Sequence, residues 1–171
     1  VLSGTSIYGN PRNRKDPSRP SATWEAANIV TITPPFRMTY DGKPVKVIRV
    51  NKNCAESLLR VLNRLLDAAR KINPKNPQAV LDESGASIFG GCVMYRLMRD
   101  GKALSIHSWG AAIDLDPARN SLYDKTPNFT RYPWVIEAFK AEGWRWGGDW
   151  NGNGSSADER KADGMHFQAT A

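Results

Sequence analysis

Two short stretches concentrate the side chains able to hold a metal ion. Ser105-Ile-His-Ser-Trp-Gly-Ala-Ala-Ile-Asp114 carries His107 and, after it, Asp114. Asp163-Gly-Met-His-Phe-Gln168 carries His166, the second of the two histidines in the chain. Imidazole nitrogen and carboxylate oxygen are ligands that zinc prefers, at roughly 2.0–2.2 Å, and three protein ligands leave a fourth position open for water. His107, Asp114 and His166 supply such a set. Asp163, just ahead of His166, suits a base that works beside that water without ligating the ion. On spacing alone, a histidine satisfied in the core and one more charge in the run 158–163 explain the same residues equally well.

The elements that must position these groups are partly legible. Ala111-Ala-Ile-Asp-Leu-Asp116 alternates, so Ile113 and Leu115 point one way and Ala112, Asp114 and Asp116 the other, which places Asp114 on a core-backed strand. From Ala55 the apolar set Leu58, Leu59, Leu62, Leu65, Leu66, Ala69 and Ile72 predicts a helix, capped by Asn51 or Asn53 and stopped before Pro74. Pro133 suits the first turn of a second helix, Trp134 to Glu142, ended by Gly143. Asn28–Thr33 and Pro44–Val50 read as strands, the latter half-exposed, and Ala79–Leu81 as a short strand before a loop over 82–91. Cys92–Tyr95 has strand character and delivers Arg96, and a turn is expected at Asp100-Gly101. Trp144–Trp150 reads as a strand and turn dense in indoles. Residues 1–23, rich in Gly, Pro, Ser and Arg, form an arm that lies on the surface or is disordered, leaving 24–171 as a single domain.

Composition sets the outer bounds. The 171 residues are long enough for one domain with a real core, and 40% hydrophobic with 24% charged residues is ordinary for a globular chain. No stretch is apolar for long enough to span a bilayer. The chain begins without Met and shows no signal-peptide pattern, consistent with a removed leader or a trimmed end. A net charge of +7 favours anionic polymers, either nucleic acid or the wall and envelope polymers of bacteria. No RNP, zinc-finger or helix-turn-helix pattern stands behind the first, so no nucleic-acid partner is expected. Cys54 and Cys92 are the two cysteines, a disulfide if the protein is exported and buried thiols if it is cytosolic.

Ser105-x-His107-x-x-Gly110-x-Ala112-x-Asp114 matches, at every fixed position, the S-x-H-x-x-G-x-A-x-D signature, and so resembles the M15 zinc peptidases. That family holds D-Ala-D-Ala carboxypeptidases, dipeptidases and phage L-alanyl-D-glutamate endopeptidases. Asp163-x-x-His166-Phe167 resembles its second motif, and Trp146-Gly-Gly148 its phage and carboxypeptidase-like branch. Similarity in pattern runs from about residue 30 to the C-terminus.

The resemblance implies an α+β fold of the D-Ala-D-Ala carboxypeptidase (M15/hedgehog) type, a small antiparallel sheet with flanking helices and the metal at the sheet's edge. It implies one Zn2+ per chain on His107, Asp114 and His166, with Asp163 as general acid/base. Arg96 looks like the family's substrate-contacting arginine, whose guanidinium offers two parallel donors to an oxyanion or carboxylate. Ser105 would orient a ligand or touch substrate, and Trp109 and Trp150 would line the groove. The implied partner is a peptidoglycan peptide, cut by a monomer at the cell envelope or outside the cell, or held in the cytoplasm until release if phage-encoded.

Three departures stand out. Asp163 replaces the Glu of many members, Gln168 stands where an acidic residue often follows His-Phe, and Arg96 lies close to His107 in sequence. Two rival functions are a non-catalytic zinc- or wall-binding module and a basic nucleic-acid-binding protein. The scissile bond, and endo- against carboxypeptidase action, are left open by the sequence.

Overall fold

A computed structural model describes residues 7–98 and 101–169. In chain order they form α1 (Ala22–Asn28), β1 (Ile29–Ile32), β2 (Met38–Tyr40), β3 (Lys43–Val45), β4 (Ile48–Asn51), α2 (Ala55–Ile72), α3 (Pro77–Ser84), β5 (Phe89–Gly91), a 3-10 helix (Ile106–Trp109), β6 (Ala112–Leu115), a second 3-10 helix (Asn128–Arg131), α4 (Pro133–Lys140), β7 (Trp144–Trp146) and β8 (His166–Ala169). The class is α+β. The strands make two two-stranded sheets, β1-β4 and β2-β3, and one four-stranded antiparallel sheet in the order β5-β6-β8-β7.

α2 forms where the apolar period predicts it, with Leu58, Val61, Leu62, Leu65 and Ala69 buried. Leu59 and Ile72 belong to the predicted stripe but are 36% and 56% exposed. Leu59 lies about 100° round the helix from Leu58, and Val61 takes its place facing the core. Asn51 does not cap the helix. Cys54 is the N-cap and makes no side-chain capping bond. The Asn51 amide is committed elsewhere, accepting from Asn53 N–H at 2.9 Å and donating to the Trp109 carbonyl at 2.9 Å.

The predicted strand at Ala79–Leu81 is instead the middle of α3. Asn76 caps that helix by accepting the Ala79 N–H at 3.1 Å, Pro77 fits its first turn, and Gly85 ends it at φ 90°. Cys92–Tyr95 is not a strand among the described residues. Strand structure lies just before it, in β5. The segment Pro44–Val50 is divided between β3, paired with β2, and β4, paired with β1. Leu97 pairs antiparallel with Leu104, so the chain reverses between them, and the expected turn at Asp100-Gly101 lies partly outside the described residues.

From Ile7 onward the N-terminal arm lies against the body, residues 1–6 being outside the described part. The indole N–H groups of Trp24 and Trp109 donate to the carbonyls of Tyr8 and Gly9, both at 2.8 Å, and the Tyr95 hydroxyl donates to the Pro17 carbonyl at 2.6 Å. Cys54 and Cys92 are both free and buried. No helix among the described residues is long and apolar enough to cross a membrane.

The four-stranded sheet has two unlike faces, because its register matches Ile113 to Phe167 and Asp114 to His166. Residues directly opposite in an antiparallel pair share a face. Ile113, Leu115, Phe167, Trp144 and Trp146 form one face, and Phe167 stacks on Phe139 of α4 with ring centroids 4.0 Å apart. Asp114, His166, Gln168 and Arg145 form the other. All four residues of β6 are nevertheless buried, so the polar face is covered over the metal-ligand candidates.

Candidate metal centre

His107 is held by a short helix made for it. The Ser105 hydroxyl oxygen accepts the His107 N–H at 3.3 Å and caps the 3-10 helix, a positioning task. Gly110 then turns the chain into β6 at φ 67°. A Cβ at this glycine would stand 2.9 Å from the Asn51 nitrogen and 3.0 Å from Ile29 Cδ1, so both conformation and space exclude a side chain. β6 carries Asp114, and pairing with β8 brings His166 directly opposite. Asp114 and His166 therefore stand on the two inner strands of the sheet, and His107 on the 3-10 helix that leads into β6.

The three ligand atoms form a small triangle. His107 Nε2 lies 3.1 Å from Asp114 Oδ1, His166 Nδ1 lies 3.2 Å from the same oxygen, and the two imidazole nitrogens are 3.2 Å apart. All three side chains are buried. His107 Nδ1–H donates to the Cys92 carbonyl at 2.8 Å, which leaves Nε2 with its lone pair toward the triangle. His166 Nε2–H donates to the Gln168 amide oxygen at 2.9 Å, which does the same for Nδ1. Two lone pairs and a carboxylate oxygen thus converge in a buried site, an arrangement that repels itself until a cation occupies the centre or a proton on a facing imidazole nitrogen makes a hydrogen bond to Asp114.

Zinc fits this donor set. Arms of about 2.0 Å at tetrahedral angles separate ligand atoms by about 3.3 Å, close to the observed edges. The outer partners, a backbone carbonyl and a side-chain amide, are of the kind that orient metal-binding imidazoles. Electrostatics agree. Burial opposes ionisation of Asp114, but hydrogen bonds from His107 and His166 outweigh it and hold the carboxyl well below the usual range. Burial likewise disfavours the His166 cation, yet the hydrogen bond and charge of Asp114, with the charge of Asp163, raise its pKa.

The remaining predicted residues are placed differently from one another. Asp163 precedes the turn into β8, and its carbonyl accepts the His166 N–H at 3.1 Å. Gly147 allows this, because a Cβ there would stand 2.4 Å from the Asp163 carbonyl oxygen. Trp150 lies beside the triangle with its ring centroid 5.7 Å from that of His166. Trp109 does not line an open groove. It is 4% exposed in the core, where the N-terminal arm takes its N–H. Arg96 is tied by its backbone to the histidine-bearing segment, donating to the Ser108 hydroxyl and accepting from Ser105 N–H. Its guanidinium donates to the Leu97 carbonyl at 3.3 Å.

Sequence reasoning missed the Cys92 carbonyl, Asn51 and Arg145. Only the last had a readable signal, the alternation Trp144-Arg145-Trp146. A groove of about 410 Å³ opens beside β5, lined by Tyr40, Val45, Phe89, Gly91, Cys92 and Met94 among others. Its link to the centre runs through two lining residues, Gly91, the cross-strand partner of Asp114, and Cys92, whose carbonyl anchors His107; the three candidate ligands do not line it.

Two imidazoles, each oriented from outside, and one carboxylate form the cluster, with no fourth protein ligand in it among the described residues, a donor set that would suit a catalytic rather than a structural metal. Residues 99–169 match the family described as D-alanyl-D-alanine carboxypeptidase. Over that stretch, less than half of the chain, the protein is similar to the M15 peptidases, the family that its two motifs resemble. No curated protein and no solved structure gives a significant match.

Proposed function

We propose that the protein hydrolyses amide bonds in the stem peptides of bacterial peptidoglycan, with one Zn2+ held by His107, Asp114 and His166. The observation that carries this is the triangle of inward-facing donors, 3.1–3.2 Å on its edges, whose tautomers are fixed from outside by Cys92 and Gln168. Bound there, zinc would supply Lewis acidity toward a water and the scissile carbonyl.

The chain's own groups do the rest. The Asp163 carboxylate takes the proton of the attacking water and returns it to the leaving amine nitrogen. Arg96 offers guanidinium donors to the oxygen of the scissile carbonyl, once a bound peptide draws it from the Leu97 carbonyl. The groove beside β5 receives the extended peptide, and its rim carries Lys43 and Arg49, which suits an acidic wall substrate. Action at the cell envelope or outside the cell follows from that substrate.

The experiment is mass spectrometry of fragments released from purified peptidoglycan, with and without a chelator. Chelator-sensitive release of peptides with new amino termini, lost in Asp163→Ala while that variant keeps its metal, supports the proposal. Absence of any chelator-sensitive product would sink it. Hydrolysis surviving in metal-loaded Asp163→Ala removes the assigned base.

A further inference from the structure

We propose that Arg145, backed by Trp150, selects substrates that carry a free carboxylate next to the scissile amide, a proposal that rests on the peptidase function above. Arg145 is the outward residue of β7, flanked by the buried Trp144 and Trp146. Its cross-strand partner is Gln168, the residue whose amide oxygen holds His166. The register therefore puts a guanidinium on the same sheet face as Asp114 and His166, across one strand from the metal ligands.

The guanidinium is fixed but not spent. One N–H donates to the Trp150 carbonyl, and its carbon stands 5.6 Å from the centroid of the Trp150 ring. Of five N–H donors this uses one, and no carboxylate among the described residues lies within ion-pair distance of it. Most arginines elsewhere that face a carboxylate have taken it, as Arg60 and Arg64 share Glu142 and Arg119 takes Asp116. A guanidinium resting on an indole is held in place at low entropic cost, with its in-plane donors still aimed outward.

Trp150 joins that cation to the metal centre. Its N–H donates to the Lys161 carbonyl at 3.0 Å, so the ring is held at one edge, and its centroid is 5.7 Å from that of His166. A substrate residue adjoining the amide over His166 meets the indole next, and a carboxylate on it reaches the open donors of Arg145. Two parallel N–H donors to one carboxylate are stronger and more directional than a single neutral hydrogen bond. Arg96, anchored to the segment that bears His107, is left to the scissile carbonyl.

The test uses the zinc-loaded full chain and two peptides, acetyl-Lys-D-Ala-D-Ala and acetyl-Ala-D-Glu, each as free acid and as amide. Binding is read from the indole N–H resonance of Trp150, assigned with Trp150→Phe, and hydrolysis is followed in parallel. The wild type is expected to bind at least one acid about tenfold to a hundredfold more tightly than its amide, the range of a charge-assisted hydrogen bond. Arg145→Ala should abolish that preference while leaving affinity for the amide in place, and Arg145→Lys should restore part of it.

Absence of an acid preference in the wild type, or its survival in Arg145→Ala, overturns the proposal. Equal weakening of acid and amide also overturns it, since Arg145 would then only brace the indole. If the acids bind with the expected preference and none is cut, the carboxylate site stands and the peptidase function falls. If wall peptides are cut with no acid preference, the reverse holds.

Discussion

The two faces of the four-stranded sheet are built from alternate residues of the same strands, yet they obey different physics. On one face Ile113, Phe167 and the indoles of β7 pack against α4, and Phe167 stacks on Phe139 while meeting Phe129 edge-on at 5.7 Å. That face is held by area removed from water and by dense contact, which is non-directional and tolerates some change of shape. On the other face Asp114, His107 and His166 converge within a triangle whose edges are set to a few tenths of an ångström by hydrogen bonds from behind. Such a cluster contributes little to folding by itself, because three electron-rich atoms in a dry site oppose one another. The apolar face supplies the stability that keeps the polar face assembled.

The sharpest way to break this division is to remove the apolar partner of a metal strand. Phe167→Ala leaves every ligand in place but empties a fully buried site between Phe129 and Phe139. The expected cost is about 3–5 kcal/mol, measured by denaturant unfolding, with zinc affinity falling as well. Unchanged metal affinity in a destabilised variant would show that the two faces are less coupled than the register suggests.

Asp114→Ala is the converse. It removes one ligand and the carboxylate that both imidazoles face, while Ile113 and Leu115 stay packed behind. Zinc affinity should fall by more than the 10–100-fold typical of lost outer partners, measured by metal content after dialysis against a competing chelator. The metal-free variant should also unfold modestly below the metal-free wild type, since the interactions that outweigh the burial of Asp114 are lost and both buried imidazoles lose their partner.

How far the sequence revealed this division follows from which physics each part uses. The candidate ligands were legible because their residue types are chemically rare and their order fits a known signature. The α2 helix was legible because burial of one face imposes a period. The strand alternation through Asp114 also predicted the two faces, though not that both would be covered. What stayed hidden was tertiary or main-chain. The Cys92 carbonyl that orients His107 belongs to no side chain, and nothing local distinguishes it from other carbonyls. Asn51 looked like a helix cap because Asn caps helices, but tertiary contact with Trp109 claimed its amide. Trp109 looked like a groove residue because indoles line grooves, and the arm that buries it was read only as a surface or disordered tail. Ala79–Leu81, inside α3, reads as a short strand because three apolar residues in a row outweigh Asn76, Pro77 and Gly85, all of which mark helix ends.

Gln168 lies between the two regimes, on the ligand face but outside the triangle. Gln168→Leu removes the acceptor that fixes the His166 tautomer and should weaken zinc about 10–100-fold with little change in stability. Gln168→Glu restores the acidic residue common in the family and should bind zinc at least as tightly as the wild type. A result in which Leu, Gln and Glu bind zinc equally would mean that β8 alone orients His166.

The smallest expected effect lies on the far side of the apolar layer. Glu142, just after α4, accepts from Arg60 Nε at 2.9 Å and from Arg64 Nε at 3.1 Å, tying that region to α2. The Arg60 hydrogen bond is the main influence, and with Arg64 it holds the Glu142 carboxyl below its ordinary range. A lowered folded-state pKa stabilises the protein above the unfolded value, and that stabilisation is lost as pH falls through the folded one. Glu142→Gln should therefore lower the melting temperature by about 1–3 °C at pH 7, in line with exposed ion pairs in a chain of this size. The difference should shrink as the pH is lowered into the carboxylate range, and high salt should shrink it at pH 7. Zinc affinity should not change at all, since the apolar layer separates this ion pair from the ligand face. A shift in zinc affinity would mean that strain passes through the Phe139–Phe167 stack, and the coupling of the two faces would then extend as far as the ion pair on α2.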